Sequence, residues 1–295
     1  MTTRGVVALQ PILGLSNRLR AIASFSVLAR RTGRDFRLSW VPSQGFSNED
    51  LSDLVDNPFA RVDEEEFASL CASGLCLHDA PSVSGTDLLG GTHPVLAYRG
   101  YMTVDALVGR DAVEQPAPGF LDEYQAALTA WRPVPVIAKA VDEIAGKFDA
   151  TTVGLHARRG DALVSPHLGW KYRISSDRAF FAHMDNLLRA DSRTTFFLAT
   201  DDAATEQRFR ARYGDALHTN PAKRFVPSLL GQPKENQYDA VIDLFALAHT
   251  QRILGNHGST FSSLAASIGA IPLQRVADKS LPARVRRRIS RLRHR

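Results

Sequence analysis

Apolar residues in the second half of the chain fall in short blocks separated by amphipathic stretches. This alternation predicts repeated strand–helix units. Thr152–His156 and Thr195–Thr200 read as strands, and Asp177–Leu188 and Ala203–Tyr213 as helices that follow them. A helix over Tyr238–His249, a strand at Arg252–Gly255, a helix over Phe261–Ile268 and a strand at Ile271–Gln274 continue the series. Repeated units of this kind build a parallel sheet with helices on both faces. The N-terminus opens in the same way. Val6–Ile12 is a strand, Gly14-Leu15-Ser16 a turn, and a helix from about Asn17 to Thr32 stops at Gly33, a residue suited to ending helices. Phe36–Trp40 then returns as a strand.

From about residue 43 to 115 the pattern weakens to an acidic surface stretch (Asp63–Glu66), a Gly90-Gly91 turn and one strand at Val95–Tyr98. Pro116 and Pro118 precede a helical stretch. Pro133 and Pro135 mark a second break, after which a helix covers Val136–Phe148. The expected organisation is an N-terminal α/β domain over 1–132, a second over 133–278 and a basic tail over 279–295. No repeat of fixed period is visible. Neither a Gly-x-Gly-x-x-Gly turn nor a Gly-x-x-x-x-Gly-Lys-Ser/Thr loop occurs, so the dinucleotide and P-loop readings lose their main support.

Composition narrows the class. An apolar fraction of 44% with 23% charged residues suits a globular chain that buries a sizeable core. No apolar run reaches the roughly 18 residues needed to cross a bilayer, and the first residues lack the pattern of a secretory leader. With only Cys71 and Cys76, a disulfide framework is not expected. Free thiols in a reducing compartment, and hence a cytoplasmic location, are the reading. The two thiols without a neighbouring His pair also make a poor zinc site. The net charge of +5 is concentrated at one end: Lys279 to Arg295 holds eight of the 36 basic residues and no acid. The body before it is mildly acidic, which argues against nucleic acid as a partner.

Candidate chemistry gathers at strand ends, where open α/β sheets bind ligands. Val153-Gly154-Leu155-His156-Ala157-Arg158-Arg159-Gly160-Asp161 ends an apolar strand in a His and two Arg. Arg presents a planar fork that grips phosphate oxygens; a surface turn with its arginines paired to acids is the alternative. Asp201 and Asp202 close the next strand, where capping accounts for at least one of them. Asp243 lies in a helix apolar on nearly every side and needs a strong partner. The two parallel N–H donors of a guanine would serve, as would a structural Arg or exposure to solvent. Gly258-Ser259-Thr260 opens a helix, a place for an anion or for plain capping. Gly14 would let a ligand approach the first domain's turn closely, with Asn17 as a donor.

Taken in order, Gly14-Leu15-Ser16-Asn17-Arg18-Leu19, His156-x-Arg158-Arg159, Leu198-Ala199-Thr200-Asp201-Asp202 and Ser259-Thr260-Phe261-Ser262-Ser263 resemble a fucosyltransferase superfamily. It includes rhizobial nodulation fucosyltransferase, α-1,6-fucosyltransferases and protein O-fucosyltransferases. The resemblance covers most of residues 5 to 275. It implies a GT-B-like α/β fold of two Rossmann-type domains facing across a cleft, and inverting transfer of fucose from GDP-fucose without a metal. The acceptor would be an oligosaccharide or glycolipid. Position by position, Arg158 would hold the β-phosphate and stabilise the leaving GDP. His156 and Asp243 would contact guanosine, while Thr260, Ser262 and Ser263 would bind phosphate. Arg159 and Asp201 would belong to the same donor site, and Asn17 would face the donor from the first domain. The resemblance departs at the base: α-1,6-fucosyltransferases carry a glutamate ten positions after the His, and Pro166 stands there in this chain. Asp161 and His167 are the candidate bases, Asp161 being the choice. A different nucleotide sugar, or silent nucleotide-sugar binding, remain as alternatives. In the tail, Leu281, Val285, Ile289 and Leu292 share one helical face among arginines. That suits peripheral contact with an anionic membrane, on its inner face, or a solvated tail.

Overall fold

In the computed structural model, residues 5–41, 49–78, 88, 93–108, 118–159, 173–225 and 237–278 are described. Their strands form two sheets of five, parallel throughout. The chain divides into two compact units: Met1–Pro135 with Gln232–Gln237, and Val136–Gly231 with Tyr238–Arg295.

The first sheet contains β1 (Val6–Pro11), β2 (Asp35–Leu38), β3 (Ala60–Arg61), β4 (Leu75–His78) and β5 (Val95–Gly100), in the order β3-β2-β1-β5-β4. Helix α1 (Leu15–Arg31) packs on β1 through Leu15, Leu19, Ile22 and Phe25, spaced three and four apart so that they share one buried face. Phe25 stacks on Tyr98 of β5 with ring centroids 4.9 Å apart. The helix ends as its sequence predicts: Arg30 and Arg31 occupy the last turn, and Gly33 adopts a φ of +66°. Both arginines pair with Glu123 of a later helix in this unit, Phe120–Thr129.

The stretch with the weakest pattern holds several of the elements that sequence reading missed. Asp63 is an N-cap, accepting from Glu66 N at 2.7 Å, and Glu64–Glu66 form the first turn of α2 (Glu64–Ser73). Acidic side chains are favoured there by the helix dipole, so charge read as plain surface is a helix start. Strand β3 has two residues, too few to show a period, and β4 has four.

Two further helices of the first unit, α3 (Val104–Val108) and α4 (Phe120–Thr129), pack beside α1. The next helix, α5 (Pro135–Ala145), leads into the second sheet. That sheet contains β6 (Val153–Ala157), β7 (Phe196–Thr200), β8 (Leu217–Thr219), β9 (Ile253–Asn256) and β10 (Leu273–Val276), in the order β10-β9-β6-β7-β8. Strands β6 and β7 are buried at every residue, which explains their continuous apolar runs. Helices α6 (Asp177–Ala190) and α7 (Ala203–Tyr213) supply Phe180, Met184 and Phe209 to the core over β6 and β7. Two more helices, α8 (Gln237–Ala248) and α9 (Thr260–Gly269), complete the unit. β8 escaped the sequence reading at three residues. β10 begins two residues later than expected, beyond Pro272, which has no N–H for a ladder.

The expected free thiols are a correction. Cys71 on α2 and Cys76 on β4 form a disulfide, and His78 Nε2 lies 3.3 Å from Cys76 Sγ. The helix turns straight into the strand at Gly74, bringing the two Cα atoms within 4.8 Å. The thiol argument for a reducing compartment therefore falls away. No helix among the described residues is long and apolar enough to cross a membrane. The basic tail, with Leu281, Val285, Ile289 and Leu292, lies outside the described residues. Thiol titration in denaturant should find no free cysteine before reduction and both afterwards. By the loop-entropy argument, reduction should cost about 2 kcal/mol, read from denaturant melts with and without dithiothreitol.

Candidate functional site

The chain reverses its direction of travel across the second sheet between β6, which is followed by β7 on one side, and β9, which lies on the other. The carboxyl ends of two such strands diverge and leave room for a ligand. Arg158 and Arg159 follow β6 at this point, and Asn256 ends β9.

The two consecutive arginines have opposite surroundings. Arg158 NH1 pairs with Asp201 Oδ2 at 2.9 Å, its side chain about one-third exposed at 32%. Arg159 turns inward, only 8% exposed, and donates Nε and NH2 to Asp177 Oδ1 at 3.2 and 2.7 Å. Arg208 holds the other oxygen of Asp177, and the Arg159 guanidinium lies 5.7 Å over Phe180. Both arginines are thus ion-paired, as the alternative supposed: Arg159 ties β6 to α6, and Arg158 meets Asp201 just after β7. Asp201 Oδ1 accepts from Arg159 N at 2.6 Å, so this carboxylate positions both arginines. Asp202 caps α7 through Thr205 N at 2.7 Å, as one of the pair was expected to do.

His156 is 5% exposed on β6, stacked on Phe261 at 4.8 Å, with Nδ1 3.4 Å from Ser259 Oγ. Burial first, and then the cations Arg158, Lys223, Arg275 and Arg159, push its pKa well below the ordinary value. The imidazole is therefore neutral at physiological pH.

Asp243 is 3% exposed on α8. Its partner is Lys223, which holds Oδ2, rather than an arginine. Oδ1 is buried with no hydrogen-bond partner among the described residues. Burial pushes this carboxyl up to about 6, against the lowering effect of Lys223 and with further upward pressure from Asp239 and Glu206. Lys223 acts on His156 as well, which puts the three side chains in one neighbourhood.

At α9, Ser259 caps Phe261 N at 3.3 Å and Gly258 takes a φ of +80°. Thr260 opens the helix, half-buried. Ser262 is fully buried and accepts from Arg275 NH1 at 2.9 Å; its hydroxyl serves Arg275 rather than open surface. Ser263, half-buried, donates to Ser259 O at 3.2 Å and also contacts Arg275. Lys223 and Arg275 carry no local motif and were missed in the sequence. An apolar helix holding one carboxylate pointed only to the need for a partner.

In the first unit, Asn17 lies half-buried in the first turn of α1, its N–H donating to Gly14 O at 3.0 Å. β1 stands between β2 and β5, so this turn also follows a point of reversal. Neighbouring Arg18 is fully buried. It donates Nε to Leu13 O at 2.8 Å and NH1 to Val41 O at 3.0 Å, with its guanidinium 4.8 Å over Trp40. Burial lowers its pKa to about 10. Leu13 sits at a φ of +66°, which Arg18 helps to fix. Asp161 lies outside the described residues, as do Pro166 and His167.

No family model and no curated protein sequence matches the chain. Solved structures do. Arabidopsis thaliana FUT1 in complex with GDP superposes with a TM-score of 0.59 at 14% identity, over 95% of this chain and 72% of that one. NodZ α-1,6-fucosyltransferase soaked with GDP-fucose gives 0.57 at 16% identity, over 90% and 93%; NodZ has also been solved from Bradyrhizobium. POFUT1 in complex with GDP gives 0.55 at 11% identity, over 94% and 99%. At these identities the likeness is one of fold. The chain has the GT-B-like α/β fold of these fucosyltransferases, as its motifs led one to expect.

The two arginines should separate by mutation. Arg159→Met should lose roughly 2–3 kcal/mol of stability, since it leaves Asp177 with Arg208 alone. Arg158→Ala, at a pair about one-third exposed, should lose about 0–1 kcal/mol. Urea unfolding of both variants checks this.

Proposed function

We propose that the protein is an inverting, metal-independent fucosyltransferase that carries fucose from GDP-fucose to an oligosaccharide or glycolipid acceptor. The observation that carries this reading is a buried carboxylate oxygen, Asp243 Oδ1, without a hydrogen-bond partner among the described residues, while Lys223, which holds the other oxygen, and the strand-end Arg158 both act on the buried His156. A fold shared with proteins solved with GDP or GDP-fucose supports it.

Arg158 would hold the β-phosphate. As the bond between C1 of fucose and the phosphate oxygen breaks, negative charge grows on GDP, and a preorganised guanidinium stabilises that charge. The acceptor oxygen forms the new bond to C1 from the opposite side, its proton passing to a base, for which Asp161 is the choice. Asp201 would act through Arg158 by fixing its position. Thr260 and Ser263 would attend the phosphates at the start of α9, where backbone N–H groups and the helix dipole favour an anion. Ser262 and Arg159 would support the site from beneath. Asp243 Oδ1 would accept from the guanine edge beside the neutral His156, and Asn17 remains a candidate donor-binding residue. The basic 279–295 segment would hold the enzyme at an anionic membrane surface, on the cytoplasmic side.

GDP and GDP-fucose should raise the melting temperature, whereas UDP and ADP should not; equal stabilisation by UDP would remove the guanine assignment. Arg158→Ala should fold and lose roughly 10²–10³ in kcat, measured as GDP release with acceptor present. Donor hydrolysis by the wild type distinguishes an enzyme from a silent binder, and activity should survive EDTA.

The Asp243 carboxyl gives a pH dependence. Its pKa, raised to about 6, means that it is ionised and able to accept N–H donors above that pH and protonated below it. GDP affinity should therefore fall by about tenfold per pH unit below 6. In Asp243→Asn it should be weak and flat over the same range, as isothermal titration would show.

A further inference from the structure

We propose that Arg275 is a positioning residue for the phosphates of the donor, holding the β9–α9 turn in its anion-binding shape from beneath. The inference rests on the reading of that turn as a phosphate site.

Arg275 lies on β10, level with Gly255 of β9. Its NH1 donates at 2.9 Å to Asn256 O, to Ser259 O and to Ser262 Oγ, while NH2 contacts Ser263 Oγ. One guanidinium thus joins the last residue of β9, the cap of α9 and two hydroxyls of its first turn. Those four acceptors span the whole turn, and a planar fork can reach them where a single ammonium cannot. Asn256 extends the connection. Its backbone oxygen holds Arg275, and its side-chain Oδ1 accepts from Arg158 N at 2.7 Å. The turn and the strand-end arginine are therefore set by one fully buried residue.

The glycines of the segment fit this arrangement. A Cβ on Gly255 would lie 2.6 Å from Ser262 Oγ, so the missing side chain lets α9 settle on the sheet and Ser262 reach Arg275. Gly258 has a φ of +80°, a conformation that other residues rarely adopt.

The electrostatics separate this role from plain bracing. A helix N-terminus carries partial positive charge, and a cation beside it is normally disfavoured. Here Arg275 places a positive charge at the start of α9 and acts on His156 together with Arg158 and Lys223, whose own charges are met by Asp201 and Asp243. A phosphate at this helix start would interact favourably with the Arg275 charge. Neutral hydrogen-bonding side chains could brace the turn; the cation also draws phosphate.

The test compares full-length wild type, Arg275→Lys and Arg275→Met for binding of GDP, pyrophosphate and guanosine, by calorimetry and saturation-transfer NMR. Arg275→Met should weaken GDP and pyrophosphate by roughly 10–100-fold and leave guanosine within about twofold. Arg275→Lys should fall between, and both variants should raise the KM for donor more than they lower kcat, the reverse of Arg158→Ala. Equal weakening of guanosine and GDP would reduce Arg275 to general scaffolding and overturn the proposal, as would unchanged pyrophosphate binding. Should Arg275→Met fail to fold, Arg275→Lys and Ser263→Ala carry the same comparison. Wild-type protein that binds pyrophosphate but not GDP would overturn the guanine reading and leave the Arg275 assignment open to the pyrophosphate arm. Wild-type protein that binds no diphosphate of any kind would overturn both.

Discussion

The two arginines at the end of β6 depend on one carboxylate. Asp201, at the end of β7, accepts the backbone N–H of Arg159 through one oxygen and the side chain of Arg158 through the other. Consecutive residues leaving a strand point to opposite sides by default, and Asp201 makes that alternation permanent. One arginine is committed to Asp177 and the core over α6, and its neighbour is held at the surface. The parallel register of β6 and β7, with Ala157 opposite Thr200, brings the three residues level. Thr200 reinforces it by donating Oγ1 to Ala157 O at 2.7 Å. Without this fixed junction, Arg158 would be a flexible surface cation and would lose entropy each time it met a ligand.

The site is built on contrasts in burial. Asp243 and His156 are both removed from water, and both are displaced toward their neutral forms, the acid upward and the base downward. Lys223 touches the first and repels protonation of the second. Fixed charge and withheld solvent together make this a place where small rearrangements carry large electrostatic consequences.

Much of the fold was legible in the chain. The buried strands β6, β7 and β9 and the long helix α1 declare themselves by period and by caps, and the Asp-to-helix junction at Asp202 announced a cap that is present. What was hidden had physical reasons. β3 and β8, two and three residues long, have no period to detect. Asp63–Glu66 looked like surface because the composition of a good first turn is also that of a solvated loop. In the site, residue types were readable and their partners were not: Lys223 lies 20 positions from Asp243, and Arg275 13 from Ser262. Ser262 and Ser263 are adjacent, and only the packing of α9 decides which of them is buried against Gly255. His78 beside Cys76 is legible as a spacing, yet the bond to Cys71 depends on how sharply the chain turns at Gly74.

That last bond sits at a sheet border. Among the described residues, β4 is the outermost strand on its side of the first sheet, and no strand pairs with it on the side away from β5. Border strands are where sheets fray and where separate molecules can zip together. The link from Cys76 to Cys71 pins this strand to the helix covering it, so the cohesion of that rim is coupled to the oxidation state of the surroundings. In thiol-rich buffer, amide exchange should quicken there before it does at the sheet centre, and storage conditions for the protein become a matter of redox as much as of temperature.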